Sequence, residues 1–347
     1  MKMKQENYPK PQNPKGKIVE IKTKEDFLKH IGNDSLERMN ASLIGTQKME
    51  DYYPFFIEHI DVDGKYTIDK DEIYKGIPVV INCDHLVFDG GSITSYVQLQ
   101  ITATQTTLAK ASSYNQYQIL VLGTTGTNGS GGDPGVNGKD GDPGANKYNE
   151  NAGDGGQGGP GSKGTSGKDG GYGGDTPKSD LTLGSINLGI NHLLTIVSQG
   201  GDGGNGGIGG TGGSGGSGGV GGNTGTSSCS GWDGGKGGSG GPGGAGGNGG
   251  NGGYGSINNY QMTITVATDA DKKKIATNTI PGGRGLPGNG GQGGAGGNYG
   301  GGGTGSNCNG QNGVQGSAGT GGIKGDDGEA GSLGSIPIIA IYSSAQN

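Results

Sequence analysis

The sequence predicts a mainly irregular and β fold: a bundle of six antiparallel polyglycine II helices projecting from a small β platform, with a small α+β domain at the N-terminus. Three observations predict it. Glycine supplies 88 of the 347 residues, where a globular chain holds about 7%. It recurs at every third position through six separate blocks, and three residues per turn is the period of the polyproline II helix. Finally, Gly91-Ser92-Ile93, Gly184-Ser185-Ile186, Gly255-Ser256-Ile257 and Gly334-Ser335-Ile336 each lead into a β-branched run, the composition of a strand.

Residues 1–17 are rich in Lys, Pro and Asn and hold no apolar stretch. They read as a flexible arm, not a Sec signal peptide. The expectation is synthesis in the cytosol and action outside the cell, or on a virion, after release. No segment reaches the roughly 20 apolar residues of a membrane helix, so no membrane span is expected.

Residues 18–90 have ordinary composition and supply the small α+β domain, an attachment or cap unit through which a partner or a second copy could bind. Thr23-Lys24-Glu25-Asp26 opens a short helix that Gly32 stops, and residues 35–44 make a second. Asp63-Gly64 is a hairpin turn signal between strands at 53–60 and 65–68. Strands at 79–82 and 85–88 follow. Asp61, Asp63, Asp69 and Glu72 have the spacing of a calcium loop, but Tyr66 stands where that loop requires glycine. The hairpin is the simpler reading.

Residues 91–347 hold four β units, with strands at 96–103, 192–198, 260–268 and 337–342. Between them lie three glycine hairpins, at 123–173, 200–253 and 282–334. Polar breaks at 145–154, 223–233 and 304–309 interrupt the period inside each hairpin and suit chain reversals. A block such as 123–144 would extend about 65 Å at the polyproline II rise.

The triplet type carries further information. With three residues per turn, a Gly-X-Y segment has one bare face and a Gly-Gly-X segment has two. Bare faces let backbones approach closely. Residues 200–222 and 234–253 are Gly-Gly-X, so the middle hairpin should lie between the other two. A collagen triple helix fits less well, because proline is only 13 in number and adjacent blocks run antiparallel. Gly-x-Gly-x-x-Gly matches abound, but none opens a helix after a strand, so no nucleotide site follows.

Catalytic chemistry is missing. His30, His59, His85 and His192 have no metal-ligand spacing, and no nucleophile motif occurs. The net charge of −6 without a basic aromatic patch excludes nucleic acid. The chain is read as a non-enzyme with no cofactor. Cys83 beside apolar strand residues reads as a buried thiol. Cys229 and Cys308 each fall in a hairpin-tip break, and hairpins of equal length would bring them together as a disulfide. The same tips carry Tyr148, Asn149, Trp232, Asp233, Asn307 and Asn309. Loops on rigid supports are where binding residues gather, and exposed Trp and Tyr are common hot spots. The plainer reading is that Trp232 only covers the segment ends.

Where Leu194-Thr195-Ile196-Val197 gives way to Gly200-Gly201-Asp202-Gly203-Gly204-Asn205, the chain resembles the glycine-rich tip adhesins of T-even-like phage tail fibres. The resemblance covers residues 91–347 in style. It implies a β-containing attachment domain, a polyglycine II sandwich and receptor-reading distal loops. The rods are also similar to those of the springtail (snow flea) antifreeze protein. The expected function is a receptor-binding adhesin whose tip loops contact a cell-surface protein or glycan. The alternatives are a secreted, host-directed toxin active on invertebrates, and an ice-binding protein using the Thr211, Ser214, Ser217 and Val220 column.

Overall fold

The computed structural model describes residues 9–30, 54–111, 116–225, 233, 235–258, 261–305, 311 and 314–344. It overturns the fold class expected above. The chain is built on a seven-stranded and a five-stranded sheet, not on polyglycine II helices set on a small platform. The reason is where apolar surface can be buried. Among the described residues every buried hydrophobic side chain belongs to the sheets and their connections, while Val136, Ile208, Val220, Leu286, Val314 and Ile323 of the glycine blocks are all exposed.

The strands in chain order are β1 (Gly16–Ile21), β2 (Phe55–Ile68), β3 (Glu72–Tyr74), β4 (Val79–Asp89), β5 (Ile93–Ser95), β6 (Leu99–Lys110) and β7 (Ile119–Leu122). Then come β8 (Lys147–Tyr148), β9 (Ser179–Leu188), β10 (Leu194–Gln199), β11 (Thr224–Gly225), β12 (Gln261–Val266), β13 (Ile275–Ile280) and β14 (Ile338–Ser343). Two short helices, α1 (Lys24–His30) and α2 (Asp269–Lys272), complete the set. Among the described residues no helix is long and apolar enough to cross a membrane.

The larger sheet has the order β1-β2-β4-β6-β9-β12-β14 and the smaller β13-β10-β7-β5-β3. Only β1 and β2 are antiparallel in these sheets; the other neighbours are parallel. From β2 onward the chain therefore lays one strand in the larger sheet and one in the smaller, and moves along by one rung. This is a two-sheet β-solenoid. One hydrophobic cluster runs along its inside, with Ile68, Phe88, Ile101 and Ile264 from the larger sheet and Tyr74, Ile93 and Ile196 from the smaller. Strands from before and after residue 90 share both sheets, so the N-terminal residues do not form the separate small α+β unit expected.

Asp63-Gly64 is not a hairpin turn. β2 runs straight through it, parallel to β4, and the register shifts between Val62 and Lys65. Gly64 takes φ +89°, which glycine adopts without a steric penalty. Its N–H donates to Asp84 Oδ2 at 3.0 Å. The extra residue makes a β-bulge. Gly184 marks a second irregularity, with φ +56° and an added Cβ only 1.9 Å from the Thr104 carbonyl oxygen.

The glycine blocks are excursions from this solenoid, leaving after β7, β10 and β13 and returning to β9, β12 and β14. The three outgoing segments continue the parallel pairing of their strands. Gly123 N–H donates to Gln199 O, Gly126 to Asp202 O and Gly129 to Asn205 O, at 2.7–2.8 Å. Returning segments run antiparallel to outgoing ones, as Gly156 N–H to Asp142 O and Gly159 N–H to Lys139 O show. The middle pair touches both others: an added Cβ on Gly213 would lie 2.0 Å from Val136 O, and one on Gly240 2.1 Å from Gly297 O. Gly131 and Gly301, by contrast, have nothing closer than 3.6 Å and nothing within 4 Å respectively.

Candidate functional site

The candidate site is the distal end of the excursions, where the described residues at the bases of all three turns meet. The three-residue glycine period lapses after Gly144, and without bare faces the segments cannot stay in close contact. β8 and β11 pair there in parallel. Asn149 holds φ 56°, a left-handed conformation for which Asn is one of the tolerant residues. Its N–H donates to Gly225 O at 2.9 Å. Thr224 ties two turns together, donating its hydroxyl to Glu150 O at 2.6 Å and its N–H to Thr304 O at 3.0 Å. On the returning side Ala152 N–H donates to Asp233 O at 3.0 Å.

Of the residues expected at the tips, the structure brings Tyr148, Asn149 and Asp233 to this one end. Tyr148 is 63% exposed, with its ring beside Gly225. Asp233 is a bridge between turns: its N–H donates to Asn151 Oδ1 at 2.9 Å and its own Oδ1 accepts from Gln311 N–H at 2.8 Å. Trp232, Asn307, Asn309 and both Cys229 and Cys308 lie outside the described residues. Cys83 is half-buried, and burial, then the nearby Asp84 charge, push its thiol up to about 11.

One set of polar residues was missed by sequence reasoning. Asn and Asp at the outward triplet position reach across to the backbone of the next segment. Asn128, Asn137 and Asp140 accept from the N–H groups of Asn205, Ser214 and Ser217 at 2.7–2.9 Å. Asp202 and Asn205 in turn accept from Gly283 and Leu286 at 2.6 and 2.9 Å. Asp154 and Asp169 do the same for Lys236 and Asn251 at 2.7 and 2.6 Å. A triplet has three N–H groups and its two glycines use two of them on neighbours. The side-chain oxygen satisfies the third. The signal was present as Asn and Asp recurring in phase about 80 residues apart.

The other concentration of polar groups lies on β2, β3 and the segment before β1, and serves the fold. Asn13 donates to the Tyr66 and Tyr74 hydroxyls at 2.7 and 3.2 Å, and both hydroxyls donate to Glu72. Burial first, then the Glu72 charge, raise both phenols above their ordinary range. Glu72 is thus held by tyrosines and not in a calcium loop. Among the described residues no group of three or more His, Cys, Asp or Glu could hold a metal ion.

No family model and no curated protein matches the chain. Among solved structures it is weakly similar to the nine polyproline type II helical bundle springtail antifreeze protein from Granisotoma rainieri. The identity is 24%, the match covers 63% of this chain and 94% of that one, and the TM-score is 0.07. A likeness at that score carries no argument about fold or function.

Proposed function

We propose that the protein is a non-catalytic, adhesin-type binding protein that offers the distal turns of its glycine excursions to a receptor on a cell surface. The observation that carries this reading is the convergence of three turns at one end, tied to one another through Thr224 and Asp233, with Tyr148 left 63% exposed beside them. A scaffold needs no such convergence. A binding surface does, because an aromatic anchor held by a rigid frame loses little entropy on docking. Binding of the full chain to bacterial cells, outer-membrane proteins and surface glycans tests the reading. Tyr148→Ala combined with Trp232→Ala should weaken capture at least about tenfold. Unchanged binding by that variant would remove the distal turns from consideration.

A second reading, ice binding, is favoured by one observation. Thr211, Ser214, Ser217 and Val220 follow one another at the outward triplet position of the middle segment, and the Asn and Asp bridges hold that segment to its neighbour in strict register. Thermal hysteresis that survives the double tip variant but falls on Thr211→Lys would select it.

A further inference from the structure

The two ends of the solenoid are finished differently. At the N-terminal end β1 runs antiparallel along β2 and carries Lys17 and Glu20. The segment before it lies over the core: Asn13 is buried against Tyr66 and Tyr74, and Gln12 exchanges hydrogen bonds with the Lys75 backbone at 2.6 and 2.8 Å. At the other end the larger sheet stops at β14 and the smaller stops at β13, one rung earlier. Ile339 and Ile341 of β14 pack against the core but stay only partly buried. Ile264 and Leu181, one and two rungs further in, are 0% and 1% exposed. The opposite face of β14 shows Ile338 and Tyr342, 44% and 52% exposed.

One side of β14 is bonded to β12, and among the described residues no strand pairs with the other. A free edge is normally blunted by charge, proline or a bulge. β14 itself has none of these, and residues 333–344 contain no charged side chain at all. The edge of β1 shows what a protected edge looks like in the same molecule.

We infer that β14 is an interface between two copies of this chain, paired antiparallel about a two-fold axis at Ala340. Complementarity selects the occupant. Head-to-tail stacking would set β14 against the N-terminal end, where the Asn13 segment and charged β1 cover the core. An edge meeting its own copy fits instead. With Ala340 on the axis, Ile339 faces the partner's Ile341 on the core side, and Ile338 faces the partner's Tyr342 outside. Both are neutral, apolar cross-strand pairs. The contact is isologous and closes at two subunits, and it covers the half-buried last layer of the core.

Sedimentation equilibrium of the full chain, from nanomolar to high micromolar concentration, should show a reversible dimer. Ile338→Lys with Tyr342→Lys places like charges in the contact and should weaken it at least about a hundredfold, with the far-ultraviolet circular dichroism unchanged. A second variant does not depend on disruption. Ala340→Cys, with Cys229 and Cys308 replaced by serine, should form a disulfide-linked dimer under mild oxidation, because a residue on the axis meets itself. Asn278→Cys on β13 should not. A wild-type chain that stays monomeric throughout, a double-lysine variant that dimerises undiminished, or a dimer in which Ala340→Cys fails to cross-link would each overturn the inference. So would saturation of the edge by a different protein.

Discussion

Replacing Gly213 by alanine adds one methyl group in the middle of the glycine layers, and the structure gives its cost. The new Cβ would lie 2.0 Å from Val136 O and 2.4 Å from Val136 C, both of them backbone atoms that no rotamer change can move. The segments would have to separate by roughly an ångström, and overpacking of that kind costs about 1–3 kcal/mol. Separation also stretches Gly135 N–H to Thr211 O and Gly138 N–H to Ser214 O, now 2.7 and 2.8 Å. Each such bond contributes about 0.5–1.5 kcal/mol. Against this, Gly→Ala stiffens the unfolded chain by about 0.4–1 kcal/mol. The net loss is on the order of 2–5 kcal/mol. Gly131→Ala is the control, since its Cβ would have nothing closer than Ile208 O at 3.6 Å and the variant should be neutral or slightly stabilised. Chemical denaturation followed by circular dichroism, with amide exchange at residues 132–141 as a local readout, measures the difference. Equal stability and equal exchange for the two variants would refute the claim that bare glycine faces allow the segments to nest.

Three other outcomes can be measured in the same way. Gly64→Ala has open space around its Cβ but must keep φ +89°, so it should lose about 1–2 kcal/mol from backbone strain alone, seen as a lowered denaturation midpoint. Asn128→Ala removes the acceptor for Asn205 N–H at an exposed position. It should cost about 1 kcal/mol or less, while amide exchange at Asn205 accelerates and that at Gly204 does not. Burial raises the Asp271 carboxyl, but hydrogen bonds from Lys274, Thr268 and the Ile186 N–H outweigh it and hold the group at about 2. A folded value below the unfolded one of about 3.9 means that this stabilisation is complete above pH 4 and disappears as the pH falls towards 2. The gap in stability between wild type and Asp271→Asn should therefore be largest near neutrality and close over that acid range.

Some of the architecture could be read from the chain and some could not, for physical reasons. The change from Gly-X-Y to Gly-Gly-X at residues 200–222 reports which segment has neighbours on two sides, because a side chain there would strike a carbonyl. Runs such as 261–266 show β-branched alternation and are strands. The solenoid itself was hidden. β3, β5 and β7 span three or four residues each, too few for a period of two to show. β9 carries Gly184 in its interior, which breaks the strand signal where the register slips. Asp-Gly at 63–64 is equally the signature of a hairpin and of a bulge, and only the partner strand decides between them. At the distal end, Tyr148 and Asn149 stood out as polar and aromatic residues in a lapse of the glycine period. The bridging role of Asp233 depends on a residue 78 positions away, which no local pattern reveals.

The in-phase pairing of successive excursions has a consequence for how such a molecule could change in size. Leu194 stands beside Ile275 and the Asn205 carbonyl oxygen accepts from Gly129 N–H, 76 residues earlier, so strand and excursion advance together as one module. A tandem duplication of one such module would slot in as another storey, since its glycines already match the floors above and below. Duplicating the first would fail, because Thr127, Asp133, Lys139 and their companions would then be driven into a backbone. Glycine content thus sets a stopping rule: the chain can be lengthened from the middle, and its outermost walls are written in side chains.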